Sequence, residues 1–158
     1  MTDRPTDTPP PAPLDPSAET IAEIERLHEV SRTSGVLDDQ VALWRAVAAL
    51  DRWVFINRGG ADSPRPYSLG AEPGPMLAVY TSGRRAQEAA WASGLVPQSE
   101  RVELLAVPLP AALDWALAFG QSGVVGVALD YPLLSSWCPL PNLARFRDER
   151  SSGSQGAN

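Results

Sequence analysis

The sequence predicts a mixed α/β domain: a four- to five-stranded sheet covered by helices and preceded by two N-terminal helices. Three observations carry this. From residue 76 onward, short apolar runs alternate with amphipathic runs in the order strand, helix, strand, helix, strand, the pattern of right-handed βαβ units with locally parallel pairing. Residues 17–50 show apolar positions at helical spacing,. The β-branched and aromatic run 52–57 lies between these regions and reaches the next strand through a loop without a helix, so it is expected to pair antiparallel,.

Ser17, after Pro16, is a good N-cap for a helix over 17–31, with Ile21, Ile24, Leu27 and Val30 on one side and Glu19, Glu23, Glu25 and Glu29 on the other,. Ser34 and Gly35 break it. A second helix is expected over 39–50, with Asp38 as its cap and Val41, Trp44, Val47 and Ala48 turned inward,. Arg52 to Asn57 reads as a strand. Residues 58–75 are turn chemistry throughout, with four prolines and four glycines,. Met76 to Tyr80 reads as a buried strand that Thr81, Ser82 and Gly83 turn into a helix over 84–92, closed by Gly94,. A third strand is expected over 102–107. Pro108 or Pro110 opens the next helix, which runs to Phe119 and ends at Gly120,. Val124 to Leu129 is the last strand, stopped by Asp130, Tyr131 and Pro132, and a short helix is expected over 141–147.

The ends read differently. Residues 1–16 hold six prolines and a single large aliphatic residue after the initiator, Leu14. Such a stretch cannot bury enough surface to offset its ordering entropy, so a disordered arm of polyproline II character is expected. The polar run 148–158 is expected to be a disordered tail,. One domain over 17–147 remains, and it contains all five tryptophans,.

Composition excludes several chemistries. All thirteen basic residues are arginine. GC-rich coding accounts for that bias, and it fits a bacterial-type protein. It leaves no lysine for a Schiff base, a pyridoxal attachment or a phosphate loop. The formal net charge is −6, without a basic run, which argues against nucleic-acid binding. No segment approaches the ~20 apolar residues that span a bilayer, and the N-terminus lacks an export signal. With one cysteine, Cys138, there is no disulfide framework; a cytoplasmic location is the expectation. Cys138 lacks basic neighbours in sequence that would lower its pKa,. His28 is the single histidine and, beside Glu25 and Glu29, is expected on the surface. One histidine and one cysteine cannot assemble an ordinary zinc site. No metal, cofactor or catalytic residue is therefore expected.

Four segments resemble the N-terminal domain of the family named for the enhanced serine sensitivity protein SseB, over roughly residues 38–145. They are the Trp-bearing helix and its strand (ALWRAVAALDRWVFIN), the buried strand with its Thr-Ser turn (MLAVYTSGRRAQEAAWASG), the strand and Pro-started helix (VELLAVPLPAALDWALAFG) and the closing VVGVALDYP. Where the family often has Asn-Pro after the last strand, this chain has Asp130, Tyr131 and Pro132. The resemblance implies an α/β binding or accessory domain and brings no catalytic residues with it.

Two regions are candidate sites. At Thr81, Ser82, Arg84 and Arg85 a strand turns into a helix N-terminus, where free N–H groups and the helix dipole favour an anion,. Two arginines in that first turn call for negative charge nearby. Asp130, at the end of a strand expected to run parallel, would share this sheet edge and could face Arg84 or Arg85. The plainer reading, that Ser82 or Thr81 caps the helix and Asp130 bonds its own turn, is preferred because caps and such turns are far commoner than sites. The other candidate is the helix from Pro110 to Phe119, whose only charge is Asp114. A helix apolar all round is either covered on two sides, here by the N-terminal helices, or is a partner surface, with Trp115 and Phe119 its largest members. The expected function is a non-catalytic binding module for a protein partner, with self-association open. A small-ligand or anion-binding domain using Thr81–Arg85 is the alternative, and a hydrolase or transferase using Ser82 or Asp130 the remote one.

Overall fold

The computed structural model describes residues 16–60, 62–70, 74–134 and 136–156, with side chains of the final helix up to Glu149. The proline-rich arm lies, apart from Pro16, outside these residues. The order is α1 (Ala18–Ser34), α2 (Leu37–Ala48), β1 (Arg52–Ile56), β2 (Ser68–Leu69), β3 (Met76–Val79), α3 (Gly83–Ala92), β4 (Leu104–Pro108), α4 (Ala111–Ala118), a 3-10 turn (Phe119–Ser122), β5 (Gly126–Leu129), β6 (Trp137–Pro139) and α5 (Leu140–Gly156). The mixed α/β class is as the sequence predicts.

Local signals set most of these elements. Ser17 caps α1, its side chain accepting from the Thr20 N–H, and Gly35 closes the helix at φ 68°, a left-handed conformation that costs glycine little. Ser82 caps α3 by accepting from the Arg85 N–H. The expected Asp38 cap on α2 is a correction: the cap position is Val36, with no side-chain bond. Ser34 sets the entry instead, accepting from the Val36 N–H and donating to Asp39. Asp38 and Asp39 sit within the first turn, where they complement the dipole. The tail is a second difference, because α5 continues through Gly156 where composition predicts an unfolded chain from Asp148.

The sheet is mixed. β3 and β5 pair parallel, β2 flanks β3 antiparallel, and β6 flanks β5 antiparallel. β1 pairs antiparallel with β4 in a second, two-stranded sheet. An antiparallel bridge between Val54 and Tyr80 joins the two, with N–H···O distances of 3.0 and 2.8 Å. The strands at 76, 104 and 126 therefore point the same way, as the βαβαβ reading expects. β1 stands between the first two of them, so the connection through α3 crosses over β1 to reach β4.

β1 shows why both sheet faces are covered. Trp53 and Phe55 point into a large core with Leu77, Val79, Val127 and Leu129, roofed by α2, α4 and α5. Val54 and Ile56 point the other way, onto Ala86, Ala89 and Ala90 of α3. Small residues on α3 let it lie close to the strands. α4 packs against α5 and β4, so its cover comes from the C-terminal helix and an edge strand. Phe55, Trp115 and Phe119 form a chain of edge-to-face rings 5.0 and 5.4 Å apart, geometry that the aromatic quadrupole favours. Trp115 and Phe119 are thereby half-buried against the core.

Candidate functional site

Thr81, Ser82, Arg85 and Asp130 come together at the end of the parallel pair, and Arg84 does not. The parallel register of β3 and β5 ends with Val79 beside Leu129, so Asp130 stands level with Tyr80 and one residue short of Thr81. Asp130 has φ 48°, a left-handed conformation that Asp and Asn tolerate best among residues with a Cβ. Its carboxylate thereby turns back across the strand ends. Oδ1 accepts from the Thr81 N–H at 2.7 Å and Oδ2 from the Thr81 hydroxyl at 2.8 Å. Arg85 Nη1 donates to Oδ2 at 2.6 Å. The side chains of Asp130 and Arg85 are 0% and 14% exposed. The sequence preference for a self-bonded Asp130 turn is thus corrected: the carboxylate reaches across to the neighbouring strand end and helix.

The second amino group of Arg85 donates to Glu25 on α1. One guanidinium therefore ties α1, α3 and the end of β5. Burial acts to lower the Arg85 pKa, and the hydrogen bonds and charges of Asp130 and Glu25 more than offset it, so the pKa is raised. Arg84 points away and meets Glu88 one turn on, both exposed. Beside Arg85 and Asp130 lies an open depression of about 220 Å³, lined also by Glu88, Ala89, Pro132 and Leu133.

Two expectations about titratable groups are settled nearby. His28 is buried, not on the surface. With Ile24 and Ser31 it forms the face of α1 that packs inward, and burial lowers its pKa against the opposing charges of Glu29 and Asp130. Cys138 is buried and free, and burial pushes its thiol pKa up to about 12. Among the described residues, no three His, Cys, Asp or Glu side chains are grouped to hold a metal ion. None of the described helices is long and apolar enough to cross a membrane.

A feature that the sequence reading missed lies on the other side of the molecule. α2, β6 and α5 enclose a groove of about 310 Å³, with Leu37, Val41, Trp44, Trp137 and Phe146 among its lining. Leu37 is 65% exposed and Trp137 37%. Trp44 is buried, and its indole N–H donates to Ser136 Oγ at 3.1 Å. Trp137 has no hydrogen bond from its indole N–H to any described residue. Its ring lies over Gly126, where a Cβ would come within 2.8 Å of two ring carbons. The Arg45 guanidinium stands 6.0 Å over the Phe146 ring, in cation–π range, and pairs with Glu149 at 3.2 Å. The signal was present as Trp137, an aromatic between a serine and a cysteine after a turn. Reading it required β6, which is too short to show a period.

Trp115 and Phe119, the expected partner surface, lie apart from this groove. Trp115 lines a shallow hollow with Leu105, Val107 and Ala111 on the β4 side, and Phe119 another with Tyr67 and Leu77. Compared with known proteins, the chain matches no family model, no curated protein and no solved structure.

Proposed function

We propose that this chain is a non-catalytic binding module of the SseB type, which recognises a protein partner through the groove between α2, β6 and α5. One observation carries the reading: Leu37 and Trp137 expose apolar surface around a floor of Trp44 and Phe146. Trp and Arg dominate the energetics of protein interfaces, and a large aromatic beside a partly open pocket is the usual anchor point. The rim of Asp38, Arg45, Arg145 and Glu149 supplies charges of both signs around it.

Affinity capture from a lysate of the native organism tests this, with three baits. Wild type and Arg84→Ala should retain the same partner. A Leu37→Ser, Trp137→Ala variant with an intact thermal transition should lose it. Retention by that variant would refute the groove as the docking surface.

A second reading has its own observation. The outer amino group of Arg85 is held by Glu25, whose side chain is about half exposed, next to the 220 Å³ depression. A small carboxylate or phosphate that displaced Glu25 would make this a regulatory anion site. A saturable thermal shift with phosphate or acetate, lost on Arg85→Ala, supports that reading; no shift in either form refutes it.

A further inference from the structure

We propose that the hollow beside β2, edged by Arg58 and Arg65, is a binding site for a small amphipathic carboxylate, an aliphatic acid. Its charged end meets the two arginines and its chain lies along Phe119 and Val124. The site shares no residue with the groove between α2, β6 and α5 or with the depression at Arg85.

Three observations converge. The first is the cavity. Its volume is about 410 Å³, within the roughly 300–1,000 Å³ of small-molecule clefts. Ser68 stands opposite Leu77 in the β2–β3 register, and opposite residues of an antiparallel pair share a face. That face is the one on which Leu77 enters the large core, and Phe119 and Val124, both half-buried, pack against the same core. The core therefore comes to the surface here. The base and walls are apolar, and Ser68, Ser122 and the two arginines supply the polar groups. Mostly apolar lining with a few polar groups is the usual composition of a ligand site.

The second observation is charge. Acidic residues outnumber basic ones by 19 to 13, and Arg26, Arg32, Arg45, Arg84, Arg85 and Arg147 each pair with a carboxylate. Arg58 and Arg65 pair with none among the described residues, although the backbone holds them side by side. The Arg58 N–H donates to the Arg65 carbonyl at 2.7 Å, and Arg65 Nη2 donates to the Arg58 carbonyl at 3.1 Å. Two neighbouring cations at the mouth of an apolar hollow complement an anion that carries an apolar chain. The planar fork of a guanidinium suits a carboxylate in particular.

The third is preorganisation. Asn57 Oδ1 accepts from the Gly59 N–H at 2.9 Å and the Arg65 N–H at 3.0 Å. Gly59 leaves no room for a Cβ, which would overlap the Ser63 carbonyl. The loop that carries both arginines is thus closed on itself before any ligand arrives, which lowers the ordering cost of binding.

The test uses the full chain and octanoate, below its micellar concentration, as the probe. Octanoate should raise the thermal midpoint saturably, and the methyl resonances of Leu77 and Val124 should shift along the same binding curve. Acetate, which lacks the chain, and 1-octanol, which lacks the charge, should each bind at least about tenfold more weakly. An Arg58→Gln, Arg65→Gln variant should keep the unliganded thermal transition, since both side chains are exposed. It should bind octanoate about tenfold or more weakly, as the loss of charge-assisted hydrogen bonds requires. Equal octanoate binding by wild type and variant overturns the proposal, as does the absence of any shift. Binding that leaves the Leu77 and Val124 methyls unmoved also overturns it, because the acid then sits elsewhere. Tighter binding of octyl phosphate than of octanoate overturns the assignment to a carboxylate.

Discussion

Asp130→Asn is the most informative single substitution. Asn tolerates the left-handed φ of 48° as well as Asp does,, so the backbone is not disturbed and the change isolates the charge. Three donors converge on the carboxylate: the Thr81 N–H, the Thr81 hydroxyl and Arg85 Nη1. An amide oxygen can keep the Thr81 N–H. The amide nitrogen then faces Arg85, donor against donor, with the guanidinium largely buried. Removing one partner of a buried ion pair costs about 3–5 kcal/mol. Arg85 keeps Glu25 as a second, half-exposed partner, which offsets part of that loss. The expected destabilisation is therefore about 2–4 kcal/mol. Urea denaturation of wild type, Asp130→Asn, Arg85→Met and the double variant measures it as a cycle. The double variant should lose less than the two single losses combined, since no buried charge is left alone. Arg84→Ala, beside it in sequence but paired among the described residues with exposed Glu88, should change stability by no more than about 0.5 kcal/mol. A loss below about 0.5 kcal/mol for Asp130→Asn, or strict additivity in the cycle, would refute the claim that this pair holds the strand ends together.

Three further outcomes are expected. His28 has a folded-state pKa below its ordinary 6.5, first because it is buried. The unfolded state therefore binds the proton more readily, so stability is complete above pH 6.5 and falls as pH drops below it. Denaturant midpoints between pH 7.5 and 5.5 should show this slope, and His28→Gln should flatten it; an equal slope in both proteins refutes the assignment. Gly126→Ala puts a Cβ 2.5 Å from the Cys138 carbonyl and 2.8 Å from the Trp137 ring. It should destabilise by about 1–3 kcal/mol and shift the Trp137 indole resonance; an unchanged thermal midpoint would count against the close approach. Cys138, with its thiol pKa pushed up to about 12 by burial, should resist iodoacetamide at pH 8 in the native state and react once denatured, and mass spectrometry reads both.

The elements that the sequence by itself determined are those whose signal is local. Ser17 caps α1 and Ser82 caps α3 because a short hydroxyl side chain meets an N–H three residues on, whatever surrounds it. β1, β3 and β5 were legible because apolar, strand-favouring runs are bounded by turn residues. The closeness of Thr81 and Asp130 followed from the expectation that their strands run parallel. Other features depended on contacts between distant residues. Arg84 and Arg85 are neighbours in sequence about 100° apart on a helix, and only the docking of α3 on the sheet decides which of them meets Asp130. His28 looked like a surface residue among glutamates. Its burial is set by the face of α1 that packs inward, and Ile24 is consistent with either orientation. The order of the strands, with β1 between β4 and β3, is a non-local choice that periodicity does not encode. β6 is three residues ending in proline, too short for an alternating pattern, so Trp137 could not be placed beside Trp44. The groove exists only where α2, β6 and α5 converge, from residues 37–45 and 137–149. No window along the chain contains both of those segments.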